Sequence, residues 1–148
     1  MKTSKKGIEL IKKFEGWRSK PYLCAAQVPT IGFGFTRYAD GTKVTMKDKE
    51  MTPAEGDALL IIILSDFEKE VKKMVKSEIN QQQFDALVSF TFNFGPGKLK
   101  TSTLLKKVNL NPKDASIKDE FAKWVNAGGK KLDGLVKRRL AESQMYYS

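Results

Sequence analysis

Glu15, Cys24 and Thr30 combine reactive side chains with close, regular spacing. They lie within Phe14-Glu15-Gly16-Trp17-Arg18-Ser19-Lys20-Pro21-Tyr22-Leu23-Cys24-Ala25-Ala26-Gln27-Val28-Pro29-Thr30-Ile31-Gly32-Phe33-Gly34-Phe35-Thr36. Eight residues separate the carboxylate from the thiol, and five separate the thiol from the hydroxyl. The chain has no histidine and one cysteine. Ser-His-Asp and Cys-His hydrolases need an imidazole base, and zinc amidases normally draw ligands from histidine, so all three are disfavoured. Carboxylate chemistry remains, and glycoside hydrolysis is its main example.

These residues need elements to position them. Ile8, Leu10, Ile11 and Phe14 fall at helical spacing with lysines opposite, which predicts a helix over 4–15 stopped by Gly16. Glu15 then sits in the last turn, where the negative end of the helix dipole disfavours a carboxylate. Phe14 and Trp17 flank it with apolar surface. Both effects would raise its pKa, as a general acid at neutral pH requires. Residues 28–46 read as a β-hairpin, with Ile31, Phe33 and Phe35 alternating with Gly32 and Gly34, Asp40-Gly41 as the turn, and Thr42 to Thr45 returning. The glycines leave one strand face bare. That is compatible with close packing or a bend, and equally with a bulky ligand approaching the backbone.

Thr52-Pro53-Ala54-Glu55 is a capping box. It predicts a long helix to about Glu78, with Leu59, Ile62, Ile63, Phe67, Val71, Met74 and Val75 on its core side. A helix over 81–94 turns Phe84, Leu87, Val88 and Phe92 inward and is broken by Gly95-Pro96-Gly97. Ser102 caps a helix through Val108. Another follows Asn111-Pro112 to about Asn126 and ends at Ala127-Gly128-Gly129. A last helix from Asp133 carries Leu135, Val136, Leu140 and Tyr146. No repeat or low-complexity tract is present.

The Glu-x8-Cys-x5-Thr segment resembles the active-site segment of the phage-type lysozymes, the endolysin family of glycoside hydrolase family 24. In that family the order is Glu, eight residues, Asp or Cys, five residues, Thr. The likeness extends through Gln83-Phe84-Asp85-Ala86-Leu87-Val88-Ser89-Phe90, Phe92-Asn93-Phe94-Gly95 and Ser102-Thr103-Leu104-Leu105-Lys106-Lys107. It continues in Phe121-Ala122-Lys123-Trp124-Val125-Asn126-Ala127-Gly128-Gly129 and Gly134-Leu135-Val136-Lys137-Arg138-Arg139.

The resemblance implies an α+β lysozyme-like fold as a single domain over 1–148. A small lobe (about 15–50) is joined by a long helix to a helical lobe (about 80–148). It implies a muramidase splitting the β-1,4 bond between N-acetylmuramic acid and N-acetylglucosamine, by inversion. Glu15 would protonate the leaving oxygen and Thr30 would help hold the attacking water. Cys24 stands where many members carry Asp. It would hold the water, act as a thiolate base or stabilise the transition state, or else it is a small buried residue. Gly32, Phe33 and Asn93 are candidates for substrate binding, though Asn93 would equally serve to cap a turn. Neither cofactor nor metal is implied. Two departures stand out: Phe35 occupies a position that is often His, and Gln27 one that is commonly Gly.

Composition sets the partners. With 148 residues, 41% hydrophobic and 30% charged, the chain buries roughly 70% of its unfolded surface and needs no disulfide. The longest apolar run, Leu59 to Leu64, is far short of the roughly 20 residues that span a bilayer. Met1-Lys2-Thr3-Ser4-Lys5-Lys6 is basic without an apolar stretch after it, so no signal peptide is expected. The net charge is 27 − 17 = +10, which favours anionic partners, murein with its peptide carboxylates among them, or marks only a solvated surface. A monomer is expected to build up in the host cytoplasm and reach the periplasmic wall through a separate holin. The competing readings are a basic binding protein for nucleic acid or anionic polymer, and a chitinase- or chitosanase-like hydrolase. Scattered lysines without a recognition signature argue against specific nucleic-acid binding.

Overall fold

The computed structural model describes residues 1–148. The elements run α1 (Lys5–Glu15), β1 (Arg18–Leu23), β2 (Pro29–Gly32), α2 (Pro53–Met74), α3 (Gln81–Phe94), α4 (Pro96–Lys100), α5 (Thr103–Leu110), α6 (Ile117–Ala122), β3 (Asn126–Ala127), β4 (Lys130–Lys131) and α7 (Asp133–Tyr146). Mostly helix with two small antiparallel hairpins, this is the α+β class expected from the sequence. By packing, the chain forms two compact units, Ile11–Ser65 and the pair of segments Met1–Leu10 and Asp66–Ser148.

In the Ile11–Ser65 unit, α1 stops at Gly16, whose backbone takes φ +72°. The strand pairing corrects the expected 28–46 hairpin. β2 pairs with β1, with Tyr22 opposite Thr30 and Leu23 opposite Pro29. β1 was not legible because Pro21 and charged residues interrupt it, and the ladder is irregular between Arg18 and Tyr22. β2 stops at Gly32 because Gly32 (φ +67°) and Gly34 (φ +83°) turn the chain back on itself. Ile31 and Phe35 then exchange backbone hydrogen bonds of 2.9 and 2.8 Å. The Asp40-Gly41 turn is present, with Asp40 Oδ1 accepting from the Thr42 N–H at 2.9 Å. Its flanks meet in a single Arg37–Lys43 bridge rather than a regular return strand.

Ile31, Phe33, Phe35, Val44, Met51, Leu59, Leu60 and Leu64 form the core of this unit. Trp17 packs on Phe33 with ring centroids 4.8 Å apart. It also fills the space beside Gly56, where a Cβ would fall 2.3 Å from the indole. The capping box forms as expected: Glu55 N–H donates to Thr52 Oγ1 at 3.1 Å, and Thr52 N–H to Glu55 Oε1 at 2.9 Å. Ile62, expected on the core side of α2, is 51% exposed and its neighbour Ile61 58%.

In the other unit α2 ends at Met74 rather than Glu78. Asn109 intervenes, its Oδ1 accepting from the Lys76 N–H at 2.7 Å and its Nδ2 donating to the Met74 carbonyl at 3.1 Å. α3 starts from an Asn80–Gln83 capping box and is buried from Gln83 through Thr91. Phe90 is the hub of an aromatic cluster with Phe94, Trp124 and Phe121 at centroid distances of 5.4, 5.4 and 6.0 Å. Gly95 ends α3 as expected, yet Pro96 opens the short α4, since proline suits a first helical position. The helix expected to Asn126 is only α6. Gly128 (φ +59°) and Gly129 (φ +78°) form the two-residue turn of the β3–β4 hairpin instead of a helix end. On α7, Tyr146 is buried and Leu140 is 58% exposed.

Candidate functional site

Glu15, Cys24 and Thr30 all belong to the Ile11–Ser65 unit. Glu15 is the last residue of α1 and is half-buried. Its Oε1 would lie only 3.1 Å from a Cβ built on Gly34. The carboxylate thus rests against backbone that carries no side chain. Sequence reading noted the bare glycine face but did not single out Gly34; its signal was the second glycine of the Gly32-Phe33-Gly34 turn. Beside Glu15 on the helix, Lys12 pairs with Asp57 at 2.9 Å and lies over the Phe33 ring at 5.5 Å from its centroid.

Cys24 and Thr30 are brought together by the β1–β2 hairpin. Cys24 N–H donates to the Val28 carbonyl at 3.1 Å, and Gln27 N–H to the Cys24 carbonyl at 2.8 Å. Gln27 takes φ +62°, so the connection is a three-residue loop closing on a left-handed residue. The glycine-type geometry is kept with a residue that has a Cβ. Thr30 is buried, and its Oγ1 donates to the Val28 carbonyl at 2.8 Å. Around the half-buried sulfur, the Val28 N–H first and the Ala26 N–H second favour the thiolate. They outweigh desolvation and hold the thiol below its ordinary range.

The candidate substrate residues fall differently. Gly32 is buried, and a Cβ there would meet the Phe35 ring at 2.8 Å and Met51 Sδ at 3.1 Å. Its glycine is required by the turn. Phe33 is 6% exposed, packed against Trp17 and Phe35, so its ring serves the core. Phe35 is 2% exposed and meets Phe33 edge-on at 6.0 Å. Its environment is apolar, which accounts for phenylalanine where a polar ring was the expectation. Asn93, in the other unit near the end of α3, has a buried Oδ1 without a hydrogen-bond partner. No grouping of His, Cys, Asp and Glu that would hold a metal ion occurs.

The phage lysozyme family model matches residues 12–142. An endolysin of Bacillus phage B103 is 38% identical over 146 residues, covering 99% of this chain and 54% of its own length. The chain therefore spans about half the length of that relative. The solved endolysin of Escherichia coli O157:H7 phage FAHEc1 superposes with a TM-score of 0.90 at 34% identity, covering 99% of this chain and 93% of its own. The muramidase domain of SpmX from Asticaccaulis excentricus gives 0.81 at 31% identity, with 99% and 98% covered.

Proposed function

The chain belongs to the phage lysozyme family, and from that premise we propose that Glu15 is the general acid of a muramidase cutting the glycan strands of bacterial peptidoglycan. The protein is a glycoside hydrolase with a lysozyme-like fold, and its kinship is with endolysins. The bond cut is the β-1,4 link between N-acetylmuramic acid and N-acetylglucosamine. Glu15 gives its proton to the leaving glycosidic oxygen as the C–O bond breaks. Positive charge develops at the anomeric carbon, and water attacks from the opposite face, inverting the configuration.

Thr30 and Cys24 hold that water. The Thr30 hydroxyl spends its proton on the Val28 carbonyl, so its lone pairs are free to accept from the nucleophile. The lowered thiol pKa supports a thiolate at Cys24, able to take the water's second proton as the new C–O bond forms. That proton then passes to solvent, and Glu15 is reprotonated. Substrate contact at Gly32 and Phe33 comes from backbone. The 148 residues act as one catalytic domain and as a monomer. The +10 charge draws the enzyme to murein carboxylates. No helix is long and apolar enough to cross a membrane. As a separate part of the proposal, a holin gives the enzyme access to the wall.

The observation that carries this reading is the Glu15 carboxylate seated against Gly34, in the same unit as the paired thiol and hydroxyl. Digesting purified sacculi and reducing the products with borohydride tests it. Muramitol at the new ends is expected. Glucosaminitol ends, or no release of fragments, would overturn the assignment.

A further inference from the structure

A pocket of about 400 Å³ opens in the Asp66–Ser148 unit between α6, the β3–β4 hairpin and the middle of α7. Ala122, Val125 and Val136 form its apolar wall, and Leu140 stands at its mouth with 58% of its surface exposed. Lys118 and Lys131 line it, against a single carboxylate, Asp119. Lys130 on the hairpin and Lys137, one helical turn before Leu140, are also exposed. Val136 and Leu140 are four residues apart and share a helix face. The chemistry of the muramidase site uses none of these groups.

Lysines alone would suit any anion, including murein carboxylates. Exposed leucine beside an apolar wall suits an anion that carries an apolar tail. We propose that this pocket docks the enzyme on an anionic phospholipid bilayer, Lys118 and Lys131 taking headgroup phosphates while Leu140 enters the acyl boundary. Lysine stems lie along apolar surface with the ammonium in the headgroup layer, so both groups act at one depth. The inference stands apart from the muramidase reading and does not depend on it.

The test is sedimentation of the full chain with vesicles of phosphatidylglycerol and phosphatidylcholine in equal parts, beside pure phosphatidylcholine. Each basic residue at an anionic surface is worth roughly fivefold in partitioning, so Lys118→Gln with Lys131→Gln should weaken binding roughly twenty- to thirtyfold. Leu140→Ser should weaken it roughly fivefold, by removing apolar surface from the bilayer. Lys43→Gln with Lys47→Gln, exposed lysines of the other unit, lower the net charge equally and should weaken it by less than about threefold, which removes bulk charge as the explanation. Melting curves check that each variant folds. Equal losses from the two lysine pairs, an inert Leu140→Ser, or equal sedimentation with pure phosphatidylcholine would overturn the proposal. So would a loss confined to binding of purified sacculi, which would assign the pocket to wall peptides.

Discussion

Replacing Gly34 by alanine should cost modest stability and a large share of the activity. Gly34 sits at φ +83°, and its Cβ would lie 3.1 Å from Glu15 Oε1. Left-handed backbone costs a residue with a Cβ roughly 1–2 kcal/mol. At this chain length each kcal/mol shifts Tm by about 2–4 °C, so a fall of roughly 2–8 °C is expected. Gly41 supplies the control, because it has φ +87° with nothing within 4 Å of the built Cβ. Gly41→Ala should therefore lower Tm by a similar amount. The two variants differ in the contact with Glu15, which is too short by a few tenths of an ångström and must be relieved. The end of a side chain yields more cheaply than backbone, so the contact is relieved by a shift of the carboxylate. Misplacing a reacting group by about 1 Å costs roughly 10² in rate, so a smaller shift should cost about tenfold. Release of reducing ends from purified murein, with a thermal melt of each variant, reads both quantities. If Gly34→Ala stays as active as Gly41→Ala, the seat of Glu15 against Gly34 has no part in catalysis.

Cys24 should be alkylated by iodoacetamide with a lower pH midpoint than the same cysteine in the urea-unfolded chain, because the Val28 and Ala26 amides favour its thiolate; an equal or higher midpoint contradicts this. Cys24→Asp should remain active, Cys24→Ser should lose part of the lytic rate and Cys24→Val most of it; an active Val variant beside an unfolded Asp variant would remove Cys24 from the mechanism. Gln27→Gly should raise Tm by roughly 2–4 °C, since it relieves about 1 kcal/mol of strain at φ +62°, and calorimetry showing no gain would mean the loop carries no strain. Activity on whole murein should fall steeply with added salt while Tm holds, because exposed charges are screened within about 8 Å at physiological ionic strength; a flat profile would remove the basic surface from substrate capture.

Much of this was legible in the sequence where one rule dominated locally. Hydrophobic period and the two reciprocal capping residues located the starts of α1, α2 and α3. Glu15, Cys24 and Thr30 stood out as candidates from residue type and spacing, and they fall in one unit. What escaped depended on partners far along the chain. The end of α2 is set by Asn109, more than thirty residues on. β1 was masked by Pro21, and the 28–46 alternation concealed a chain reversal at Gly32 and Gly34. Two adjacent glycines after Ala127 read equally as a helix stop or a hairpin turn. Ile62 was misjudged because apolar character does not say whether a side chain meets core or solvent. Gly34 was missed because a glycine's part in a site lies in the room it leaves.

The central claim rests on Glu15 as proton donor, and Glu15→Gln tests it most directly. The amide keeps the shape of the side chain and cannot supply the proton. Purified Glu15→Gln should melt within a few degrees of the parent and release reducing ends from murein at below about 1% of its rate, because general acid catalysis contributes roughly 10²–10⁴. A variant that folds and keeps more than about a tenth of the parent rate would contradict the account.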